Sequence, residues 1–324
     1  MIPRIVALVA LLATTLAPTT APATAAAADY PDPGFVTGDT RVHDPTMVRA
    51  PNGQYILVST GDNVQILTSS DRVRFQRAGA VWPGGAPWTL PFTGGSRNLW
   101  APDISYRNGQ FYLYYSASSF GSNNSAIFLA TSPSAMPGSW THRGVVVQTS
   151  TANDYNAIDP NLVVDPSGRW WLSFGSFWSG IKLIRLDPAT GKRHPTDRTL
   201  HSLATRPLSV EGSVEAPFIV RQGGFYYLFV SFDFCCRGTD STYRTMVGRS
   251  TSITGPYLDR NGVPMRNGGG TEILATHDGV FGPGHPAVLR DSDGWLLLYH
   301  YYTATGSWLG INRIDWSDGW PRIF

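Results

Sequence analysis

The hydrophobic positions of this chain fall into short runs that recur as a unit five times. Each unit has a proline, a short apolar segment, a polar turn that contains glycine, and a run dense in Tyr, Trp, Phe, Val and Leu. The last run fits a pleated, buried strand, and Gly and Asn suit the positive φ of tight turns. Helical periodicity appears nowhere for long. Each unit therefore predicts a β-hairpin.

The units align on one proline each. The five sequences are HDPTMVRAPNGQYILVST, WAPDISYRNGQFYLYYSAS, IDPNLVVDPSGRWWLSFGS, VEAPFIVRQGGFYYLFVSF and GHPAVLRDSDGWLLLYHYY. Their prolines are Pro45, Pro102, Pro160, Pro217 and Pro286, with spacings of 57, 58, 57 and 69 residues. A repeat of this length, with a third strand such as AIFLATSPS or GIKLIRLDP after the hairpin, is typical of a propeller blade. We predict an all-β fold, a five-bladed β-propeller. A sandwich does not predict five matching units, and a β-helix repeat is much shorter.

Acidic side chains stand at the start of three of these units. The innermost strands of a propeller line a central channel, so equivalent positions converge on one mouth. The residues before the five prolines are Asp44, Ala101, Asp159, Ala216 and His285, and Glu215 precedes Ala216. A single Asp-Pro often opens a turn and means little. Three acids at equivalent positions would meet at one mouth and raise one another's pKa values. Groups with shifted pKa values are concentrated at functional sites, so this pattern indicates a function.

Separated carboxylates without a Ser-His or Cys-His pair point to glycoside hydrolysis. One protonated carboxyl donates to the leaving oxygen, one carboxylate activates water or attacks the sugar, and a third tunes the first two. Aromatic residues make up 12% of the chain. Most fit the blade cores, but Trp100, Phe120, Phe177 and Trp178 fall at strand ends or in loops and are candidates for stacking on sugars.

The first 28 residues have the pattern of a secretory signal peptide. Arg4 precedes a short apolar run, and an Ala-rich tract ends near Asp29. The alternative, a membrane anchor, is disfavoured because the run is too short to span a bilayer. We expect a secreted, extracellular protein with signal peptide 1–28 and a single catalytic domain over 29–324.

Charge and cysteine content limit the partners. The formal net charge is +2 without a Lys/Arg-rich run, so neither nucleic acid nor a membrane surface is expected. Cys235 and Cys236 are the only cysteines, and a disulfide or two buried thiols are equally good interpretations. We expect a monomer without an organic cofactor.

A series of motifs resembles one enzyme family over nearly all of residues 29–324. In chain order they are HDPTM, LWAPDI, NAIDPNL, GSFWSG, SVEAPF, FDFCCRG and GPGHPAV. Here the chain resembles family 43 of the glycoside hydrolases and, within it, the arabinanases. The resemblance implies a five-bladed propeller that hydrolyses arabinofuranosyl linkages of plant cell-wall arabinan by single displacement with inversion. Inversion needs an acid and a base about 6.5–9.5 Å apart.

The resemblance also implies roles for individual residues. Asp44 matches the general base, Glu215 the general acid, and Asp159 the carboxylate that tunes and orients the acid. His285 matches the histidine beside a channel cation, usually calcium held largely through water. Positions near the substrate are matched by Asn156, Ser176 and Trp178.

Other functions were weighed against an endo-acting arabinanase. A sugar-binding propeller without catalysis does not need three acids, a sialidase would show repeated Asp-box turns, and the sucrose- and fructan-cleaving propellers place their acid before a cysteine, unlike VEAP. An exo-acting arabinanase, an α-L-arabinofuranosidase or a β-xylosidase is the closer alternative. The latter two often carry a second β-sandwich domain, for which a chain ending at Phe324 leaves no room. The loop 82–98 is expected to decide between endo and exo action.

Overall fold

The fold is a ring of five sheets that follow one another along the chain, and their strands are antiparallel except for the parallel pair β1 and β6 of the first sheet. A computed structural model describes residues 29–324, and the predicted signal peptide 1–28 lies outside them. The inner strand of each sheet follows or contains one of the five prolines. The prediction of an all-β, five-bladed β-propeller is confirmed.

The first two blades have five strands each. Blade 1 consists of β1 (Thr37–Gly38), β2 (Thr46–Arg49), β3 (Tyr55–Ser59), β5 (Gln65–Ser69) and β6 (Arg74–Ala80). Blade 2 consists of β4 (Gly61–Asp62), β7 (Asn98–Arg107), β8 (Gln110–Ala117), β9 (Ser125–Ser132) and β10 (Thr141–Thr149). The short strand β4 belongs to the first repeat in sequence but pairs with β7 of the second.

The remaining three blades follow the same order from the channel outwards. Blade 3 consists of β11 (Asn161–Val164), β12 (Trp170–Phe174), β13 (Ile181–Asp187), β14 (Lys192–Arg193) and β15 (Leu200–Ala204). Blade 4 consists of β16 (Val214–Gln222), β17 (Phe225–Phe232), β18 (Arg244–Ser250) and β19 (Thr271–Leu274). Blade 5 consists of β20 (Phe281–Asp291), β21 (Gly294–Thr303), β22 (Gly306–Asp315) and β23 (Arg322–Ile323).

Helical structure is confined to connections. It comprises one α-helical turn, α1 (Leu90–Thr93), and four 3-10 turns at Pro87–Thr89, Leu208–Val210, Gly238–Asp240 and Met265–Asn267. Within residues 29–324, no helix has the length and apolar character needed to cross a membrane.

The aromatic strands pack between neighbouring sheets. Phe229 of blade 4 and Tyr299 of blade 5 are fully buried in one shared cluster, and Tyr114 of blade 2 and Phe174 of blade 3 are fully buried in another. Burying a side chain of this size contributes about 1.5–3 kcal/mol. The blades are therefore held together mainly by the residues that the hydrophobic pattern marks as strands.

The residue before each blade proline adopts a left-handed backbone. The φ values are 50° for Asp44, 46° for Ala101, 58° for Asp159, 55° for Ala216 and 54° for His285. Such a conformation costs a non-glycine residue about 1–3 kcal/mol. It recurs at all five blade starts and turns the chain into the inner strand, so it is part of the architecture of the channel mouth.

A side-chain acceptor holds the backbone N–H of each of these five residues. The pairs are Asp44 with His300 Nδ1 (3.1 Å), Ala101 with Thr60 Oγ1 (2.8 Å), Asp159 with Ser116 Oγ (3.1 Å), Ala216 with Asp159 Oδ2 (3.0 Å) and His285 with Ser231 Oγ (2.8 Å). Four of the acceptors lie near the end of the second strand of the preceding blade. Each blade thus fixes the position of the next blade's first residue.

A second set of bridges joins the inner strands of blades 1 to 4. The residue after the proline accepts an N–H from the next inner strand: Thr46 from Ile104 (3.2 Å), Asp103 from Leu162 (2.7 Å) and Asn161 from Ile219 (2.8 Å). Blades 4 and 5 carry Phe218 and Ala287 at this position, which cannot accept such a bond.

The ring closes between blades 1 and 5 without a shared strand among the described residues. Two backbone hydrogen bonds cross this seam, from Gly34 N to Ile311 O and from Leu309 N to Thr40 O, both 2.9 Å. Asp291 of blade 5 also accepts hydrogen bonds from the Tyr55 hydroxyl (2.6 Å) and from Arg72 Nη1 (2.7 Å) of blade 1. Side chains therefore take a large part in the closure.

Candidate active site

The left-handed turns bring the predicted acids and His285 together at the channel mouth. Asp44 is 8%, Asp159 6% and His285 8% exposed, and Glu215 is partly buried. Four charged or chargeable groups so far from bulk water can persist only where they neutralise one another or share protons. Their individual partners decide which of them is ionised.

Asp44 is surrounded by donors. Its Oδ1 accepts a hydrogen bond from Nδ1 of His285 at 3.0 Å, and its Oδ2 accepts one from the Thr60 hydroxyl at 2.5 Å. Nδ1 of His43 lies 2.9 Å from Oδ1. Burial alone would raise the pKa of Asp44, but the positive field of His285 and His43 and the hydrogen bonds outweigh it and hold the pKa well below its usual range. Asp44 is therefore ionised and can accept a proton.

Glu215 lies among hydroxyl groups instead. Oε2 accepts a hydrogen bond from Ser176 at 2.6 Å, and Oε1 accepts one from the Tyr243 hydroxyl. Burial raises the pKa of Glu215, and the negative charge of Asp44 adds to this effect, while the two hydrogen bonds and His285 offset only part of it. Of Asp44 and Glu215, Glu215 is therefore the one that holds its proton more strongly.

Asp159 stands between these two groups. Burial raises the pKa of Asp159 well above its usual range, and the charges of Glu215 and Asp44 add to the effect, against the field of His285. Its Oδ2 holds the N–H of Ala216, the residue next to Glu215. Asp159 therefore acts on Glu215 through the backbone of the following residue, while the charge of Glu215 in turn favours the protonated form of Asp159.

His285 carries positive charge into this cluster. Burial lowers the pKa of His285, but Asp44, Asp159 and Glu215 outweigh the burial and raise the pKa to about 9. Burial and the field of His43 lower the pKa of His300 to about 3, so the two neighbouring imidazoles differ in charge. His285 therefore places a positive charge beside the Asp44 carboxylate, and the neutral ring of His300 accepts the backbone N–H of Asp44.

The predicted aromatic residues border the acid and the base. Trp100 packs edge-on against Phe120 at 5.6 Å between ring centroids, and Phe120 is 81% exposed. Trp100 precedes Ala101, whose N–H is held by the same Thr60 hydroxyl that donates to Asp44. Phe177 and Trp178 follow Ser176, the partner of Glu215, and both have left-handed backbone, with φ of 49° and 43°.

Asn156 is buried between two loops. It is 3% exposed, its Nδ2 donates to the carbonyl of Ser122 at 3.4 Å, and its Oδ1 has no partner within residues 29–324. Ser176, predicted to lie near the substrate, donates a hydrogen bond to Glu215.

Two clusters bring together side chains that are able to ligate a metal. His43, Asp44 and His300 offer ligand atoms within 4.8 Å of one another. His43, Cys235 and Cys236 form the second cluster, but the two cysteines are joined in a disulfide in this structure and are not free ligands. The sequence left the state of these cysteines open.

Several residues at the site were missed by sequence reasoning. Thr60, Ser116, Ser231, His300 and Tyr243 lie in or directly next to second or third strands, where a single polar residue carries no sequence signal of its own. A signal exists for three of them, because Ser116, Ser231 and His300 each lie 14 residues after their blade proline. The repeat itself could therefore have identified the acceptors that hold the blade starts.

Comparison with known proteins identifies the family of the chain. The sequence profile of glycosyl hydrolases family 43 matches residues 36–321. The "Extracellular endo-alpha-(1->5)-L-arabinanase 1" of Bacillus subtilis is 44% identical over 287 residues, 86% of this chain and 87% of that protein. The "Extracellular exo-alpha-(1->5)-L-arabinofuranosidase ArbA" of Cellvibrio japonicus is 41% identical over 304 residues, 87% of this chain and 86% of that protein.

A solved structure shares both fold and sequence with the chain. The "GH43 Endo-Arabinanase from Bacillus licheniformis" superposes with a TM-score of 0.83 at 45% identity, over 89% of this chain and 99% of that one. The profile match covers nearly all of the described residues, and both identities lie far above the level at which family membership is shared. The protein belongs to glycosyl hydrolases family 43 and is a glycoside hydrolase.

Proposed function

We propose that this glycoside hydrolase cleaves α-1,5-L-arabinofuranosyl linkages in arabinan and arabino-oligosaccharides. The observation that carries the proposal is the pair Asp44 and Glu215, two buried carboxyls at one mouth whose pKa values move in opposite directions. The names of the Bacillus subtilis and Cellvibrio japonicus relatives support the substrate class. A sugar-binding propeller without catalysis would not need an acid and a base.

The reaction assigned to this pair is a single displacement. Asp44 takes a proton from a water molecule as the water oxygen bonds to the anomeric carbon. Glu215 gives its proton to the glycosidic oxygen as the bond between that oxygen and the anomeric carbon breaks. Asp159 raises the proton affinity of Glu215 and orients it. The product sugar then has the inverted anomeric configuration.

We favour endo action within this proposal. Aromatic residues stand beside the base (Trp100 and Phe120) and beside the acid (Phe177 and Trp178), so a polysaccharide could contact the protein on both sides of the cleaved bond. The loop 82–98 is tied to blade 2, since Trp88 Nε1 donates to the Tyr115 hydroxyl (3.0 Å) and Ser119 donates to the Phe92 carbonyl (2.9 Å). Exo-acting arabinanase, α-L-arabinofuranosidase and β-xylosidase activities are the alternatives.

Digestion of linear arabinan tests the substrate and the mode together. Endo action releases a ladder of oligosaccharides and lowers viscosity early, whereas exo action releases one small product from the start. NMR of the first product reports the anomeric configuration, and retention would overturn the single displacement. Absence of hydrolysis of arabinan, with cleavage of xylosides instead, would overturn the substrate assignment.

Exchange of Glu215 tests the acid. Glu215→Gln keeps the shape and removes the proton, so hydrolysis of natural linkages should fall by about 10²–10⁴-fold. An aryl arabinofuranoside with a good leaving group needs less protonation and should lose far less activity. Equal losses on both substrates would contradict the acid role. The matched variant Asp44→Ala should regain turnover with azide, which needs no base.

We further propose a hydrated calcium ion near the channel axis. Nδ1 of His285 is bound to Asp44, and Nε2 can accept a hydrogen bond from a water molecule of the ion only when the ring is neutral, so binding of the cation would displace the proton that the carboxylates otherwise hold on His285. Calcium prefers oxygen ligands, so these residues fit only an ion held mainly through water. Such an ion would offset the charge of the three carboxylates.

Chelation tests the calcium ion. It should lower the melting temperature of the protein, and added calcium should restore it. His285→Ala should abolish this response, whereas a melting temperature that chelation leaves unchanged would reject the ion.

We also propose that the protein acts outside the cell as a monomer. The signal-like residues 1–28 and the names of both relatives, which include the word extracellular, support export. Fractionation of the native host and light scattering of the purified protein test the two statements.

A further inference from the structure

A hydrogen-bonded path leads from the disulfide to the backbone of Asp44. The N–H of Cys236 donates to the Tyr302 hydroxyl oxygen at 2.9 Å. That oxygen lies 3.1 Å from Nε2 of His300, and Nδ1 of His300 accepts the N–H of Asp44 at 3.1 Å. Tyr302 is 5% and His300 0% exposed, so water does not compete for these bonds.

The proton positions along this path follow from one another. Nδ1 of His300 accepts an N–H, so the neutral ring carries its proton on Nε2 and donates it to Tyr302. The Tyr302 oxygen thus accepts two bonds, and its own hydrogen points to Nε2 of His43 at 2.7 Å. His43 then carries a proton on Nδ1, which lies 2.9 Å from Oδ1 of Asp44. Tyr302 therefore orients two of the three histidines beside Asp44, namely His43 and His300.

The disulfide stands at the outer end of this path. Cys236 has a φ of 69°, a left-handed conformation that is uncommon for residues other than glycine, and in this conformation its N–H points at Tyr302. Its sulfur lies 3.8 Å from Nε2 of His43 and 3.8 Å from the Tyr302 hydroxyl. A bond between adjacent cysteines closes a small ring and so restricts the backbone that carries this N–H.

We infer that Tyr302 is a positioning residue for Asp44 and that the Cys235–Cys236 turn holds Tyr302 in place. The inference rests on the proposed role of Asp44 as the base. Removing the hydroxyl leaves His300 and Cys236 without an acceptor and His43 without a donor, so two of the imidazoles beside Asp44 lose the hydrogen bond that fixes their ring orientation. A displacement of a reacting group by about 1 Å can cost about 10²-fold in rate.

Tyr302→Phe tests the inference. The turnover number kcat should fall about 10–100-fold, with KM within about twofold, because the base is displaced and the sugar contacts are not. Tyr299→Phe is the matched control, since Tyr299 lies on the same strand, is fully buried and donates its hydroxyl to Asn312 at 2.7 Å. This control should lose stability without a change in kcat.

An Asp44→Ala background separates a positioning role from a general structural one. If Tyr302 acts through Asp44, Tyr302→Phe causes no further loss in that background. The positioning role is overturned if Tyr302→Phe and Tyr299→Phe have equal kcat. It is also overturned if Tyr302→Phe lowers kcat as much in the Asp44→Ala background as in the wild type. Full activity of Asp44→Ala would instead overturn the proposed base, which distinguishes the two failures.

Reduction tests the disulfide. Cys235 and Cys236 are the only cysteines, so a phosphine reductant acts at this bond alone, and thiol titration shows when both are free. Reduced enzyme should have a kcat about 3–10-fold lower, whereas the reductant should have no effect on Tyr302→Phe or on Cys235→Ser/Cys236→Ser. Unchanged kcat with both thiols free overturns the role of the disulfide.

Discussion

At the scale of single residues, identical chemical groups acquire opposite proton affinities from their neighbours. Asp44 and Glu215 are both buried carboxyls, and burial pushes the pKa of each upwards. Two imidazoles reverse this effect at Asp44, whereas the hydroxyls of Ser176 and Tyr243 only reduce it at Glu215. The division into base and acid is therefore made by the side chains around the carboxyls.

The Tyr243 hydroxyl gives a direct test of this division. Its hydrogen bond lowers the pKa of Glu215, so Tyr243→Phe should raise that pKa further. The acid must be protonated, so kcat/KM falls as pH rises through the pKa of Glu215. The variant should therefore keep its activity to higher pH than the wild type. A pH profile of kcat/KM measures the shift, with Tyr299→Phe as control; a shift to lower pH would contradict the assignment.

At the scale of strands, side chains replace the backbone pairing that the inner strands lack. Thr46, Asp103 and Asn161 each accept an N–H from the next blade. Asp103 shows how strongly these bridges are buried, since burial raises its pKa to about 6 despite the hydrogen bonds from Leu162 and Asn161. The inner ring is therefore continuous from blade 1 to blade 4.

Asn161→Ala should weaken this ring. The change leaves the N–H of Ile219 buried without an acceptor, which costs about 1–3 kcal/mol. The free energy of unfolding from denaturant titration measures the loss. Asn124→Ala, at an exposed asparagine, should change it by less than about 0.5 kcal/mol. Equal stabilities of the two variants would show that the bridge does not contribute.

The same scale shows what the sequence could predict. The hairpin of each blade is a local pattern, and RNGQ is a clear example: Asn108 and Gly109 have φ of 51° and 81°, and Arg107 pairs with Gln110 across the turn. The two-residue strands β14 and β23 and the pairing of β4 with the second blade have no local pattern, because they depend on the neighbouring sheet. The acids could be predicted because they occupy a repeated position, whereas Tyr243 could not, because it lies in the connection just before β18 and has no equivalent in the repeat.

At the scale of the whole molecule, the closing seam depends on charged side chains. The Asp291 side chain is 1% exposed and is bound by Arg72 and Tyr55. Burial raises the pKa of Asp291, but Tyr55, the Ser292 N–H and the arginines outweigh it, so the net pKa is lowered. Its contribution to stability is therefore present above the pKa of the unfolded chain, about 3.9, and is lost as pH falls below it.

Asp291→Asn should destabilise the protein by about 1–3 kcal/mol at neutral pH, and the difference should shrink as pH falls below about 4. Thermal unfolding at several pH values measures this dependence. Asp318→Asn is the control, because the Arg260–Asp318 pair is exposed and contributes little. A difference from the wild type that stays constant with pH would contradict the role of the Asp291 charge.

The absence of a strand shared by the first and last blades also sets an order of assembly during synthesis. Apart from the two-residue β4, every sheet is drawn from one continuous stretch of chain, so each blade can form as soon as its own residues have left the ribosome. A ring closed by a strand from the opposite terminus would have to wait for the last residue before its first sheet was complete. Here blades 1 to 4 can stack in the order of translation, and only blade 5, with its contacts to blades 4 and 1, awaits the end of the chain. Chains stalled before β20 should therefore already protect the first four blades from protease.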